Sequence, residues 1–317
     1  VGYVFIANLI SSIVKFLALS SEINLKGRFD FSIIISMLKY ATPMLFVGLA
    51  YVVNETLDRA MLKEILYNQY LDRGMNNTDA LELAQSKNGI YGANYKITMI
   101  VSMFIQAFRY ASEPFFFKNE TNKSSKEILA KVMNYFTIVL VFIFLVITLY
   151  LHIFKYFINN SDYWDGLAVV PILLGANIFL GVYTSLSIWY KLSDKTMFGA
   201  YISSIGVLIT LTINFVFIPK LGYIASAYAT LACYGSMMIL SYVFGQKHYT
   251  IPYKLWKFFI YIGLGSILFA ISLPFNPLIE YTVLEYGYHT LLLIGFLVAV
   301  LVVEKPFKKN IPNTSHE

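Results

Sequence analysis

Charged residues fall along this chain in clusters, and the stretches between them are long and apolar. Residues 132–154, 166–190, 196–219, 221–246 and 258–279 contain no Asp, Glu, Lys or Arg. Each is long enough to cross a bilayer as an α-helix, which takes about 20 apolar residues. Residues 286–303 make a shorter run that carries His289. Three more runs are interrupted by charge: residues 1–19 by Lys15, residues 33–57 by Lys39 and Glu55, and residues 91–117 by Lys96, Arg109 and Glu113. The pattern predicts an all-α, polytopic membrane protein of about nine transmembrane helices.

The connections give an orientation. With the first residue outside, the cytoplasmic connections hold Lys26 and Arg28, then Lys118, Lys123, Lys126 and Lys131, then Lys191 and Lys195, then Lys247, Lys254 and Lys257, and the tail holds Lys305, Lys308 and Lys309. The opposite connections are poorer in cations. Their exception is residues 59–89, where Arg59, Lys63, Arg73 and Lys87 are offset by Glu64, Asp72, Asp79 and Glu82. This alternation follows the positive-inside rule and places the C-terminus in the cytoplasm. Residues 21–31 read as a polar cytoplasmic linker. In residues 67–89, Thr78 or Asn77 is expected to cap a short external helix. Aromatic residues gather at the run ends, among them Tyr150, Tyr163, Trp164, Trp189, Tyr190 and Trp256, as interfacial belts do.

Composition agrees with the runs. The 317 residues are 58% hydrophobic and 13% charged, where a soluble domain carries about 25% charged residues. Cys233 is the only cysteine, so neither an intrachain disulfide nor a thiolate metal cluster is available. The four histidines, His152, His248, His289 and His316, show no metal-ligand spacing. No cofactor or metal is expected. The net charge of +6 is spread over short loops, which suits anionic lipid headgroups and gives no basic, aromatic-interleaved surface for nucleic acid. The chain begins at Val1 without an initiator methionine or a basic segment before its first apolar run, and is read as a piece of a longer protein.

Charge inside the apolar runs marks candidate chemistry, because a charged side chain at bilayer depth costs about 2.5–3.5 kcal/mol on insertion scales. Arg109 stands roughly 9 Å before the boundary marked by Phe115, Phe116 and Phe117, at about 1.5 Å per residue. It either snorkels to the interface or faces a polar path. Gln106, Arg109 and Glu113 share one helix face, Asn94 and Lys96 extend polarity along the same run, and Pro114 is expected to bend or break the helix. Glu55 and Arg59 have the favoured order for a helical ion pair. They either end the span at the interface or, with Asp58, form the wall of a cavity. Lys39, near the cytoplasmic side, either snorkels or lines a cavity. No nucleophile arrangement, phosphate loop or catalytic dyad is recognisable, and no enzyme activity is expected.

Four runs carry a resemblance. They are Leu38-Lys39-Tyr40-Ala41-Thr42-Pro43, leading through Gly48-Leu49-Ala50 to Leu57-Asp58-Arg59; Gly92-Ala93-Asn94-Tyr95-Lys96, leading to Phe104-Ile105-Gln106-Ala107-Phe108-Arg109-Tyr110 and Glu113-Pro114-Phe115-Phe116; Ser187-Ile188-Trp189-Tyr190-Lys191; and Gly222-Tyr223-Ile224-Ala225-Ser226-Ala227-Tyr228-Ala229-Thr230. In order and spacing the chain resembles polysaccharide-biosynthesis flippases of the multidrug/oligosaccharidyl-lipid/polysaccharide exporter superfamily, from residue 1 to about residue 252.

The resemblance implies the last helix of a first lobe at residues 1–20, a linker at 21–31, a six-helix transport lobe at 32–245, two additional helices within 246–303 and a cytoplasmic tail at 304–317. It implies translocation of a lipid-linked oligosaccharide of the undecaprenyl-diphosphate type across the bacterial inner membrane by alternating access, serving polysaccharide or O-antigen export. A polysaccharide polymerase and a chain-length regulator are the implied protein partners, and membrane lipids the surroundings. Arg109 would meet the diphosphate, Glu113 would orient Arg109 or join ion coupling, Arg59, Asp58 and Lys39 would line the cavity, and Asn94 and Gln106 would bond sugar hydroxyls. With the first lobe absent, this chain alone is expected not to transport. The competing expectations are a cation-coupled drug or ion antiporter of the same superfamily and a membrane-embedded polymerase or acyltransferase.

Overall fold

A computed structural model of the chain describes residues 2–22, 30–120, 124–275 and 283–304. The described residues form eleven α-helices joined by turns and short 3-10 segments, and no strand occurs among them. Eight helical stretches are long and apolar enough to cross a membrane. A further helix holds the run that contains Arg109 and Glu113. The protein is therefore an all-α, multi-span membrane protein. Most of the linker expected at 21–31, nearly all of the tail expected at 304–317, and Lys26, Arg28, Lys123, Lys305, Lys308 and Lys309 lie outside the described residues.

The chain divides into two compact units, Val1–Thr42 and Pro43–Glu317. In the first, helix α1 (Gly2–Leu19) has no buried residue, and Lys15 and Lys39 are exposed. Helix α2 (Phe31–Asp72) starts here, where Asp30 Oδ1 accepts the Ser32 N–H at 2.8 Å. Hydrogen bonds from Ser32 hold the Asp30 carboxyl below its ordinary range.

The second unit contains the rest of α2, and α3 (Asn77–Lys118), α4 (Ser125–Leu149), α5 (Leu151–Phe154), α6 (Val169–Leu186), α7 (Ile188–Leu192), α8 (Met197–Leu221), α9 (Tyr223–His248), α10 (Leu255–Ser272) and α11 (Val283–Glu304). Helices α2 and α3 have 42 residues each, or about 63 Å at about 1.5 Å per residue, twice the roughly 30 Å of a hydrocarbon core. They are joined by a turn at residues 73–76 in which Gly74 takes φ 86°, a left-handed conformation that glycine adopts without steric cost.

This hairpin replaces the loop and short external helix expected at 67–89. The cap is Asn76, whose Oδ1 accepts the Asp79 N–H at 2.8 Å, rather than Asn77 or Thr78. The helix then continues through Gly89 and Gly92, because packing outweighs glycine's weak helix propensity. Gly89 lies where a Cβ would already touch the Tyr163 hydroxyl at 3.5 Å. The helix likewise continues through Pro114 to Lys118. Leu62, Leu66, Ala84 and Tyr91 of the two arms form a cluster with Val169, Leu173, Ile218 and Ala225, so the hairpin is packed along its extended part.

The core is built on α6, α8 and α9. Helix α8 buries Gly199, Ser203, Gly206, Thr210, Asn214 and Ile218, a stripe repeating every three or four residues. Small residues in such a stripe let helix backbones approach closely. At Gly206 a Cβ would lie 2.8 Å from Met237 Sδ of α9. Gly222, at φ 59°, is the single residue between α8 and α9. Helices α10 and α11 pack on α4. Their ends are tied at Glu304, which accepts from Lys257 Nζ and Asn134 Nδ2 at 2.7 Å each and from Tyr261 Oη at 2.5 Å.

Candidate functional site

The buried face of α2 carries Asn54 and Asp58, one turn apart, into a polar seam inside the bundle. Asp58 is 3% exposed. Its Oδ1 accepts from Asn214 Nδ2 of α8 at 2.8 Å, and its Oδ2 accepts from Thr230 Oγ1 of α9 at 2.8 Å and Tyr91 Oη of α3 at 3.3 Å. Asn54 Oδ1 accepts from Thr210 Oγ1 at 2.6 Å. Glu55 Oε1 accepts from Tyr95 Oη at 2.7 Å and Tyr234 Oη at 3.0 Å.

The expected Glu55–Arg59 pair does not form; neither of the two ion pairs among the described residues includes them. Arg59 instead lies over the Tyr95 ring, with Cζ 5.1 Å from its centroid, while tyrosine hydroxyls occupy Glu55. The seam thus joins α2, α3, α8 and α9 through two carboxylates held by neutral donors. Burying a charge away from water is costly unless it is paired or hydrogen-bonded. At Asp58 three donors meet one carboxylate with no cationic partner among the described ion pairs.

Toward the Pro43 end of α2 the same helices part around a cleft of about 250 Å³. Met44, Val47, Tyr51 and Asn54 of α2, and Ser102, Gln106 and Arg109 of α3, line one side. Tyr183 and Thr184 of α6, Ser203 of α8 and Tyr234 of α9 line the other. Arg109 is partly buried, with its guanidinium carbon 5.4 Å from the Tyr110 ring centroid. It belongs to neither ion pair among the described residues. A guanidinium offers a planar fork of donors that matches phosphate and carboxylate oxygens, and Tyr51, Asn54, Ser102, Gln106 and Thr184 line the same cleft.

Glu113, one turn beyond Arg109, bonds elsewhere: its Oε1 lies 2.5 Å from Lys191 Nζ of α7. Helix α7 continues the line of α6 after a break at Ser187, whose Oγ donates to the Thr184 carbonyl at 2.7 Å. Trp189 and Tyr190 hold this segment. Each is 1% exposed, and each lies against a glycine, since a Cβ at Gly245 or Gly199 would meet the respective ring at 2.9 Å. Tyr190 Oη also lies 3.3 Å from Tyr183 Oη, on the cleft wall.

The remaining sequence candidates fall elsewhere. Asn94 is fully buried and donates to the carbonyls of Ile90 at 2.9 Å and Tyr163 at 2.7 Å, so its amide group ties α3 to the 3-10 segment Ser161–Gly166 outside the cleft lining. Lys39 belongs to the first unit. Sequence reasoning missed Tyr91, Thr210, Asn214, Thr230 and Tyr234 in the seam, Ser102, Tyr183 and Thr184 in the cleft, and Lys191 beside it. One signal was available: Thr210 and Asn214, and Ser226, Thr230 and Tyr234, recur every four residues within apolar runs, a spacing that places them on one helix face. Compared with known proteins, the chain finds no match among family models, curated proteins or solved structures.

Proposed function

We propose that this protein translocates a lipid-linked oligosaccharide of the undecaprenyl-diphosphate type across the bacterial cytoplasmic membrane, and that the Arg109 cleft is the seat of its diphosphate. The observation that carries this reading is a partly buried arginine with no ion-pair partner among the described residues, facing a cleft edged by hydroxyl and amide groups. Arg109 donates to diphosphate oxygens, and charge-assisted bonds of this kind are about twice as strong as neutral ones. Gln106, Asn54 and Ser102 then bond the first sugar. The cleft, at about 250 Å³, is smaller than the roughly 300–1,000 Å³ of sites that enclose a drug-sized ligand, so the rest of the oligosaccharide extends beyond it.

In this reading the cleft belongs to one lobe of an alternating-access transporter. The lysine-rich connections face the cytoplasm, and a polymerase and a chain-length regulator act on the flipped product. The Asp58 seam favours coupling of the same movement to a proton or cation gradient, because the ionised carboxylate lacks a cationic partner there. The test is complementation of a flippase-deficient strain by the full-length protein carrying Arg109→Ala or Arg109→Lys at equal expression. Loss with Ala and partial retention with Lys support the diphosphate reading; normal transport by Arg109→Ala refutes it.

A further inference from the structure

Arg109 and Glu113 are four residues apart on one helix, a spacing at which opposite charges pair along the helix surface. Such a pair would neutralise the cation that the cleft presents. In the structure Glu113 Oε1 meets Lys191 Nζ at 2.5 Å instead. The Lys191 side chain is 8% exposed and that of Glu113 33%, so Lys191 is the partner that most requires a counter-charge. A buried ammonium left alone carries a large desolvation penalty.

The backbone around Lys191 is fixed independently of that pair. Trp189 Nε1 lies 3.3 Å from Ser241 Oγ, and its ring stacks on His248 with centroids 5.8 Å apart at an interplanar angle of 12°. Gly199 and Gly245 leave space for the Tyr190 and Trp189 rings that no larger residue would leave. Lys191 is therefore delivered to α3 from a rigid mount.

We propose that Lys191 is a positioning residue of the cleft: by holding Glu113, it keeps the Arg109 guanidinium unneutralised and available to an anionic ligand. This rests on the reading of the cleft as a diphosphate seat. Lys191 is not among the residues lining the cleft and acts through Glu113, which it holds. Its removal would let Glu113 turn one helical turn back to Arg109 and compete with the ligand.

The experiment is equilibrium binding of radiolabelled undecaprenyl diphosphate to the full-length protein in lipid nanodiscs. Lys191→Met is expected to weaken binding about tenfold, the scale of surrendering one charge-assisted hydrogen bond to an internal competitor. It should also flatten the salt dependence of the affinity, because the attracting charge is already neutralised. Lys191→Arg should bind as wild type, Glu113→Gln at least as tightly, and the double variant Lys191→Met/Glu113→Gln should return to within about twofold of wild type.

A double variant as weak as Lys191→Met overturns the proposal, as does a Lys191→Met protein that binds normally while Arg109→Ala does not. Normal binding by Arg109→Ala instead fails the diphosphate reading on which the proposal stands. If Lys191→Met does not fold, the double variant, which strands no charge, and the charge-reversed pair Lys191→Glu/Glu113→Lys give the answer. Binding near the wild-type level in both supports the proposal, and loss in both overturns it.

Discussion

Asp58 and Arg109 are charged side chains on neighbouring helices of one bundle, and their surroundings differ in kind. Asp58 sits where α2, α3, α8 and α9 close together, and three side-chain donors from three helices occupy its oxygens. Arg109 sits where the same helices part, beside about 250 Å³ of open space and without an ion-pair partner among the described residues. The bundle meets the first charge with neutral donors alone, and the second has no ion-pair partner among the described residues. A charge buried among side chains reports how the helices are fastened. A charge left facing a cavity reports what the cavity receives.

The comparison breaks most readily at Arg109. Arg109→Ala should reduce transport by at least about tenfold in a complementation or flux assay, since removing a charged phosphate partner forfeits a strong hydrogen bond. The protein's melting temperature should stay near wild type, because no internal partner is stranded. Asp58 should behave in the opposite way. Asp58→Ala leaves the Tyr91 and Asn214 donors without their acceptor, while Thr230 Oγ1 keeps the Ser226 carbonyl at 3.0 Å, and should cost about 1–3 kcal/mol per stranded group at most, read as a lower melting temperature in detergent.

Asp58→Asn sharpens the contrast, because it keeps the size while removing the charge. It should melt closer to wild type, yet lose any dependence of transport on the coupling cation or proton. If Asp58→Asn transports with unchanged ion dependence, the seam is only a fastening.

A smaller effect is expected at Asn94, where Asn94→Ala removes the bond to the Tyr163 carbonyl. It should cost roughly 1 kcal/mol, the net worth of one hydrogen bond, and leave binding of a polyprenyl diphosphate unchanged.

The spans were legible because charge-free runs of membrane length have few alternative structures. Residues 132–154 and 196–219 are simple examples. The polar hairpin was less legible. Residues 59–89 are as polar as a loop, and only tertiary packing of Leu62, Leu66 and Ala84 makes two continuous helices of them. At the site, the sequence singled out Arg109 and Gln106, both in the cleft lining, because charge and amide groups stand out against apolar neighbours. It paired Glu55 with Arg59 by spacing along the helix, where tyrosine hydroxyls from α3 and α9 took the carboxylate instead. Spacing reports which residues share a face but not what another helix brings to it, and Lys191, 78 residues from Glu113 in sequence, was out of its reach.

The length of α2 has a mechanical meaning. From Asn54 to the turn at Gly74 the helix extends about 30 Å at about 1.5 Å per residue, and Gln69 Nε2 ties it to the Pro219 carbonyl near its far end at 2.8 Å. Its near end lines the cleft at Asn54, and its tip carries the polar turn at residues 73–76. A tilt of about 10° at Asn54 would swing the tip by about 5 Å on that length. A spectroscopic label at Asn76 would therefore read out, from water, a movement at the cleft too small to see where it occurs.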